Sequence, residues 1–332
     1  MPIDSQVVNG RFVGTERDKP ASLEIDQGRF ISVDEEIEVW RTVDASGYYV
    51  LPGAVQTGHP GSETALALVR QGISSTIVPL NCNLDELAVE IDDVRSNAVL
   101  DFAVCWTLPA DTTTTDVRAA RKRGVTVFDV GAVRPDQSIA GAIAGAAVRI
   151  PADSPDLDSW LGMTGDARFV LTNVTSENLE TAVRAKAVRH SHTYLETALN
   201  SLIPDGDTLS DAIESGTIDI VDSAGSENWL LQSLYSSGLI QRVGIPVSRL
   251  IELISTSPAR AYGMAQRKGR LDVGCDADFA VFDPEQQSGV SVAALTGRVV
   301  YAQLRGEILL FNDELHLPPG AGENLAVNPQ QS

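Results

Sequence analysis

Residues 255–284 read STSPARAYGMAQRKGRLDVGCDADFAVFDP, and the change of pattern inside this stretch decides how the chain is laid out. Its beginning closes a helix-rich run, Leu230 to Ser257. Gly269 and Gly274 then allow tight turns, and Asp276 and Asp278 flank a hairpin that leads into the apolar strand Phe279 to Phe282. Arg298 to Tyr301 and Gly306 to Phe311 supply further strands, after which a Pro/Gly/Asn-rich tail from Pro318 is expected to be loose.

Working outward, the other end of the chain has the same character. Gln6 to Val13, Ser22 to Ile25, Arg29 to Val33 and Glu38 to Val43 are short alternating runs punctuated by Gly10, Gly14, Gly28 and Gly47, which is hairpin chemistry. Such a start leaves an exposed sheet edge unless the C-terminal strands pair with it. Between the two ends the pattern becomes strand-then-helix. Strands are expected from Ala54 and at Ser74 to Leu80, Leu100 to Trp106, Gly124 to Val130, Ala146 to Ile150, Arg168 to Leu171 and Ile218 to Val221. Helices are expected at Glu63 to Gln71, Leu84 to Ser96, Asp116 to Arg123, Ser176 to Ala187 and Thr208 to Ser215, three of them followed by Gly72, Gly124 and Gly216 as C-terminal caps. Repeated βα units predict a parallel sheet closed as a TIM-type (β/α) barrel, trimmed or complete. A doubly wound open sheet is the alternative, and no Gly-rich nucleotide fingerprint follows any strand. The expected layout is a β-sandwich from 1–52 and 271–312, a barrel over 53–270 and a tail over 313–332.

Composition narrows the function classes. With 332 residues, 43% of them hydrophobic, the chain has ample material for a core, and no apolar run reaches the roughly 18 residues of a membrane span. Met1 to Gly14 lacks the basic and apolar regions of a signal peptide, so a cytoplasmic location is expected. A formal charge of −20 opposes phosphate-backbone binding, so no nucleic-acid partner is expected. Only Lys19, Lys122, Lys186 and Lys268 are lysines, and an acidic, Lys-poor surface suits concentrated salt. Cys82, Cys105 and Cys275 are too dispersed for a disulfide framework or a cysteine zinc site and are read as core residues.

The segment Ser257-Pro258-Ala259-Arg260, Gly263, Lys268-Gly269, Gly274, Asp276-Ala277-Asp278 and Asp283 resembles the S-x-N-P-A-R-x-x-G … K-G-x-L-x-x-G-x-D-A-D-x-V-x-x-D run of the amidohydrolase superfamily. Val50 to Glu63, VLPGAVQTGHPGSE, is similar to the barrel opening of its dihydroorotase, hydantoinase and allantoinase branch, PG-x-I-D-x-H-x-H-x-R-E-P-G. Pro52-Gly53 and Pro60-Gly61 are kept, but the interval is four residues shorter and the His-x-His pair is lost. The resemblance implies the barrel-plus-sandwich fold and a branch chemistry in which divalent metal activates water and polarises a cyclic amide.

The resemblance also implies where ligands should stand. The His-x-His pair falls on Gln56-Thr57-Gly58-His59, so His59 is the one imidazole that can remain. The bridging lysine position falls on Asp129, which can bind a metal or serve as a plain strand-end polar residue. The next histidine position is Pro151, and the following one is Thr193, with His190 and His192 within a slip of one or two residues. His190-x-His192 would place two imidazoles on one face of a strand. Asp222 takes the position of the terminal aspartate that binds metal and moves the proton, with Ser223 where a histidine would follow. Asp222 is therefore the catalytic candidate, and His59, Asp129, His190 and His192 are the barrel-mouth candidates.

Two readings follow. In the first the chain has lost most ligands, holds no cofactor, and serves as a homo-oligomer or as a structural or regulatory partner of an active amidohydrolase-type or pyrimidine/purine-pathway enzyme. In the second it is a cyclic-amide hydrolase with one zinc or manganese ion held by Asp222, His190, His192 and Asp129 or His59.

Overall fold

A computed structural model describes residues 2–14, 22–33, 37–163, 166–188, 192–202, 206–223, 245–287 and 296–326. The middle of the chain forms eight parallel strands in sequential order: β7 (Ala54–Thr57), β8 (Ile73–Leu80), β9 (Asp101–Thr107), β10 (Val125–Asp129), β11 (Ala147–Pro151), β12 (Arg168–Thr172), β13 (Thr193–Ala198) and β14 (Ile220–Asp222). Helices connect them, including α1 (Ser62–Val69), α2 (Leu84–Asn97), α3 (Thr114–Lys122), α4 (Gln137–Ala142), α5 (Leu157–Met163), α6 (Leu179–Val188) and α7 (Gly206–Glu214). The expected caps are present: Gly72, Gly124 and Gly216 have φ of 79°, 92° and 78°. Asn83 and Thr113 close capping boxes at the starts of α2 and α3, which fixes where those two helices begin.

β7 and β14 share no ladder, and side chains close the gap. Gln56 Nε2 donates to the Val221 carbonyl (3.2 Å), the Ser223 amide donates to Gln56 Oε1 (2.8 Å), and the Thr57 amide donates to Asp222 Oδ1 (3.0 Å). The barrel is thus a near-closed TIM-type sheet, sealed by one glutamine and one aspartate. Its interior is filled by alternate residues of each strand, among them Val55, Ile77, Cys105, Val127, Val170 and Ile220.

Both chain ends build the β-domain beside it. One sheet runs β18 (Glu314–Leu315), β17 (Glu307–Phe311), β16 (Thr296–Leu304), β15 (Phe279–Gln287), β6 (Tyr49–Pro52) and β2 (Arg11–Phe12); a second runs β4 (Arg29–Ile31), β3 (Ser22–Asp26), β1 (Ile3–Val8) and β5 (Val39–Asp44). The expected edge pairing is made where β15 lies antiparallel to β6, with Phe279 opposite Pro52 and Val281 opposite Val50. Val7, Ile25, Phe30, Val50, Phe279 and Val281 form one core across the two ends.

The DAD segment explains itself here. Lys268 is buried and its ammonium reaches Asp101 (2.5 Å), Asp278 (2.6 Å) and Asp276 (2.9 Å). Asp101 opens β9 on the barrel floor, Asp278 immediately precedes β15, and the Gly53 amide donates to the Asp278 carbonyl (3.1 Å). One lysine therefore ties the barrel to the β-domain. Burial works against its charge, but three carboxylates prevail and hold its pKa above the ordinary value.

The tail does not behave as expected. Residues 318–326 pass under the barrel instead of lying loose: the Phe102 amide donates to Glu323 O (2.8 Å), Leu325 N donates to Phe102 O (2.6 Å), and Leu325 is buried in the barrel-interior cluster. A Cβ on Gly322 would lie 2.0 Å from the Leu100 carbonyl oxygen, so only glycine fits that crossing. Pro- and Gly-rich composition predicted mobility, while backbone pairing to β9 and one leucine anchor hold the segment.

Candidate functional site

Chemistry in this architecture sits at the C-terminal strand ends. Those ends carry Thr57, Leu80, Thr107, Asp129, Pro151, Thr172, Ala198 and Asp222. Asp222 closes β14, is buried, and spends Oδ1 on the Thr57 amide. Asp129 closes β10, with Oδ1 accepting the Gly131 amide (3.0 Å). His59 follows β7 by two residues on an exposed loop, where its carbonyl accepts the Thr64 hydroxyl (2.6 Å). The structure thus sets Asp222, Asp129 and His59 on the same end of the barrel.

His192 does not join them. His192 stands immediately before Thr193, the first residue of β13, so it lies at the N-terminal end of the barrel, opposite Asp222; its carbonyl accepts the Phe169 amide (2.7 Å). His190 lies outside the described residues. The expected register breaks because Thr193 to Ala198 is a barrel strand, β13, that the sequence pattern does not announce. Thr193 opens β13, the seventh barrel strand, whereas the sixth strand, β12, ends at Thr172, so Thr172 and not Thr193 holds the sixth strand end.

Two residues that the sequence reading passed over occupy the interior below the mouth. Arg149 on β11 donates Nη2 to Glu196 Oε1 (2.9 Å) and Nη1 to Thr57 Oγ1 (2.9 Å). Glu196 on β13 takes the Tyr262 hydroxyl on its other oxygen (2.7 Å), and the Arg149 guanidinium lies 5.9 Å from the Tyr262 ring centroid. The side chains of Arg149 and Glu196 are 13% and 5% exposed, so the pair is desolvated. Burial keeps the Glu196 carboxyl above the usual range even though Arg149 pulls it down, with the charges of Asp222 and Asp129 adding to the upward push. Burial disfavours the Arg149 charge too, but Glu196 and the other acidic groups hold its pKa well above the ordinary value. Tyr262 is pushed up by burial, and the nearby Cys105 thiol, fully enclosed, is pushed up to about 12. A thiol in that state is inert packing, as the dispersed cysteines suggested. The sequence offers only a partial signal, a lone charge within an apolar strand that must find a partner if it is buried, and it does not name that partner.

A divalent ion needs at least three converging N, O or S donors. Among the described residues no group of three or more His, Cys, Asp or Glu side chains is placed to hold one. Asp129 and Asp222 each spend an oxygen on a backbone amide, and Glu196 is taken by Arg149 and Tyr262. Among the described residues the donor set does not fit the metal centre implied by the branch. No helix among the described residues is long and apolar enough to cross a membrane.

Residues 168–309 match the Amidohydrolase family. A D-hydantoinase of Ralstonia pickettii is 34% identical over 62 residues, which is 19% of this chain and 14% of that protein. A dihydroorotase of Methanosarcina acetivorans is 29% identical over 102 residues, 26% of this chain and 22% of that protein. These alignments span well under two thirds of either relative. The fold similarity is far more extensive. A D-hydantoinase structure superposes with a TM-score of 0.78 at 19% identity, covering 97% of this chain and 98% of that one. The L-hydantoinase (dihydropyrimidinase) of Arthrobacter aurescens gives 0.79 at 17%, covering 97% and 99%. With its carboxyl-terminal signature, its barrel and its two-ended β-domain, the chain carries an Amidohydrolase family match over residues 168–309 and has the fold of the hydantoinases, with local sequence similarity to hydantoinases and dihydroorotases.

Proposed function

We propose that this chain is a hydantoinase- and dihydroorotase-like homologue kept for its scaffold, acting as a non-catalytic structural or regulatory partner of an active amidohydrolase-type or pyrimidine/purine-pathway enzyme, or of further copies of itself. The observation that carries this reading is the set of strand ends. Of the eight, only β10 and β14 end in a possible ligand, Asp129 and Asp222, and no described strand ends in an imidazole. Loss of donors compounds, because each remaining ligand then lacks the geometry that acidifies bound water. The eight barrel strands and their seam are nevertheless in place, which suits a protein that is bound rather than one that turns over substrate.

A single-metal cyclic-amide hydrolase is the competing reading, and the placement of Asp222 at the end of the last barrel strand favours it. Elemental analysis of the purified full chain separates the two, combined with hydrolysis assays on dihydroorotate, hydantoin and allantoin. Substoichiometric metal, with turnover no higher than that of Asp222→Ala, is the expected result. Near-stoichiometric zinc or manganese, with turnover lost in Asp222→Ala, would establish the hydrolase.

A further inference from the structure

The barrel interior already contains a cation. Arg149 is bound to Glu196 and to Thr57 Oγ1, the Thr57 amide is bound to Asp222, and Tyr262 completes Glu196, so one connected chain of contacts runs from β14 to β7, β11 and β13. Asp129 is the register partner of Arg149 on the neighbouring strand β10. One guanidinium therefore contacts Glu196 directly and is linked to Asp222 through Thr57, with Asp129 beside it in the sheet register.

We infer that Arg149 is the resident cation of this barrel: a fixed guanidinium on β11 balances Glu196, Asp222 and Asp129 in place of a divalent ion, which makes the folded barrel independent of metal. A planar guanidinium suits this task because it never loses its proton and it divides its donors between a carboxylate and a hydroxyl. It also blocks ligation directly, since the Glu196 oxygen that accepts from Arg149 has little left to give a metal. The inference rests on the reading of the barrel as metal-free, and it makes a separate claim about charge coupling.

The test is thermal unfolding of the full chain, as wild type, Arg149→Met, Glu196→Gln and the double variant, each with excess EDTA and with added Mn²⁺. The wild type is expected to melt at the same temperature in both. Arg149→Met, which leaves a buried carboxylate unpaired, is expected to melt lower by on the order of 5–10 °C. The double variant is expected to recover at least half of that loss, because the stranded charge has gone with its partner. Additive losses in the double variant would overturn the inference and leave the proposed function standing. Mn²⁺ binding by the wild type, with a raised melting temperature, would overturn both. If Arg149→Met fails to fold, recovery of folded double variant supports the inference, and failure of both variants to fold counts against it.

Discussion

Lys268→Met is the substitution whose consequences the structure specifies most fully. The ammonium is the shared partner of Asp101, Asp276 and Asp278, and all four side chains are at most 4% exposed. The three aspartates do not lose equally. Asp101 keeps Arg305 and the Glu323 amide, and Asp276 keeps Arg267 at 2.9 Å. Asp278 keeps only the Ser74 hydroxyl (3.3 Å) and the Arg305 amide (2.8 Å), so it becomes a buried carboxylate with no cation in contact. Breaking a buried ion pair from one side costs about 3–5 kcal/mol, a large part of the roughly 5–15 kcal/mol by which a domain is stable. Burial already holds Asp278 above the usual carboxylate range despite Lys268, and the variant should raise it further. A folded value above the unfolded one means that the folded variant binds the extra proton, so its stability rises as pH falls toward the unfolded value of about 4. In the wild type the Lys268 contribution is complete below the unfolded lysine value and is lost only as pH rises through its higher folded value. Asp101, which Lys268 and Arg305 hold below the usual range in spite of burial, contributes stability that is lost as pH falls through its folded value. Urea unfolding at fixed ionic strength should therefore show the variant's deficit shrinking from pH 8 to pH 5. A loss under about 1 kcal/mol at pH 8 would refute the reasoning, and so would a deficit that stays constant or grows on acidification.

Gln56→Leu removes the seam hydrogen bonds that this side chain makes to the Val221 carbonyl and from the Ser223 amide, each worth about 0.5–1.5 kcal/mol; hydrogen exchange should quicken at β14 before it does at β10, and uniform protection would contradict the seam. Gly322→Ala puts a methyl 2.0 Å from Leu100 O, so the tail must leave its track, and limited proteolysis should then cut after residue 318 in the variant and spare the wild type. Leu325→Ala removes the tail's anchor in the barrel interior and should cost about 2 kcal/mol or more in urea unfolding; a neutral result would mean that the tail is held by its backbone pairing alone.

The sequence by itself determined the architecture. Short alternating runs at both ends, βα alternation between them and the Lys268 to Asp278 signature are local patterns, and local patterns record period, turn chemistry and strand propensity directly. It also placed Asp129 and Asp222 at strand ends on the same side of the barrel. Tertiary structure alone decided the interior. Glu196 interrupts the apolar run TYLETA, which hides β13 in the sequence, and His192, just ahead of that strand, lies at the end of the barrel opposite Asp222. Arg149 read as an ordinary charge within AVRIP. A buried charge is legible only together with the partner that makes its burial tolerable, and Arg149 and Glu196 stand 47 residues apart in sequence, two strands apart in the sheet, and 2.9 Å apart in space. Composition misleads about the tail for the same reason: it describes an isolated segment, whereas the Leu100 to Phe102 backbone against it determines where it lies.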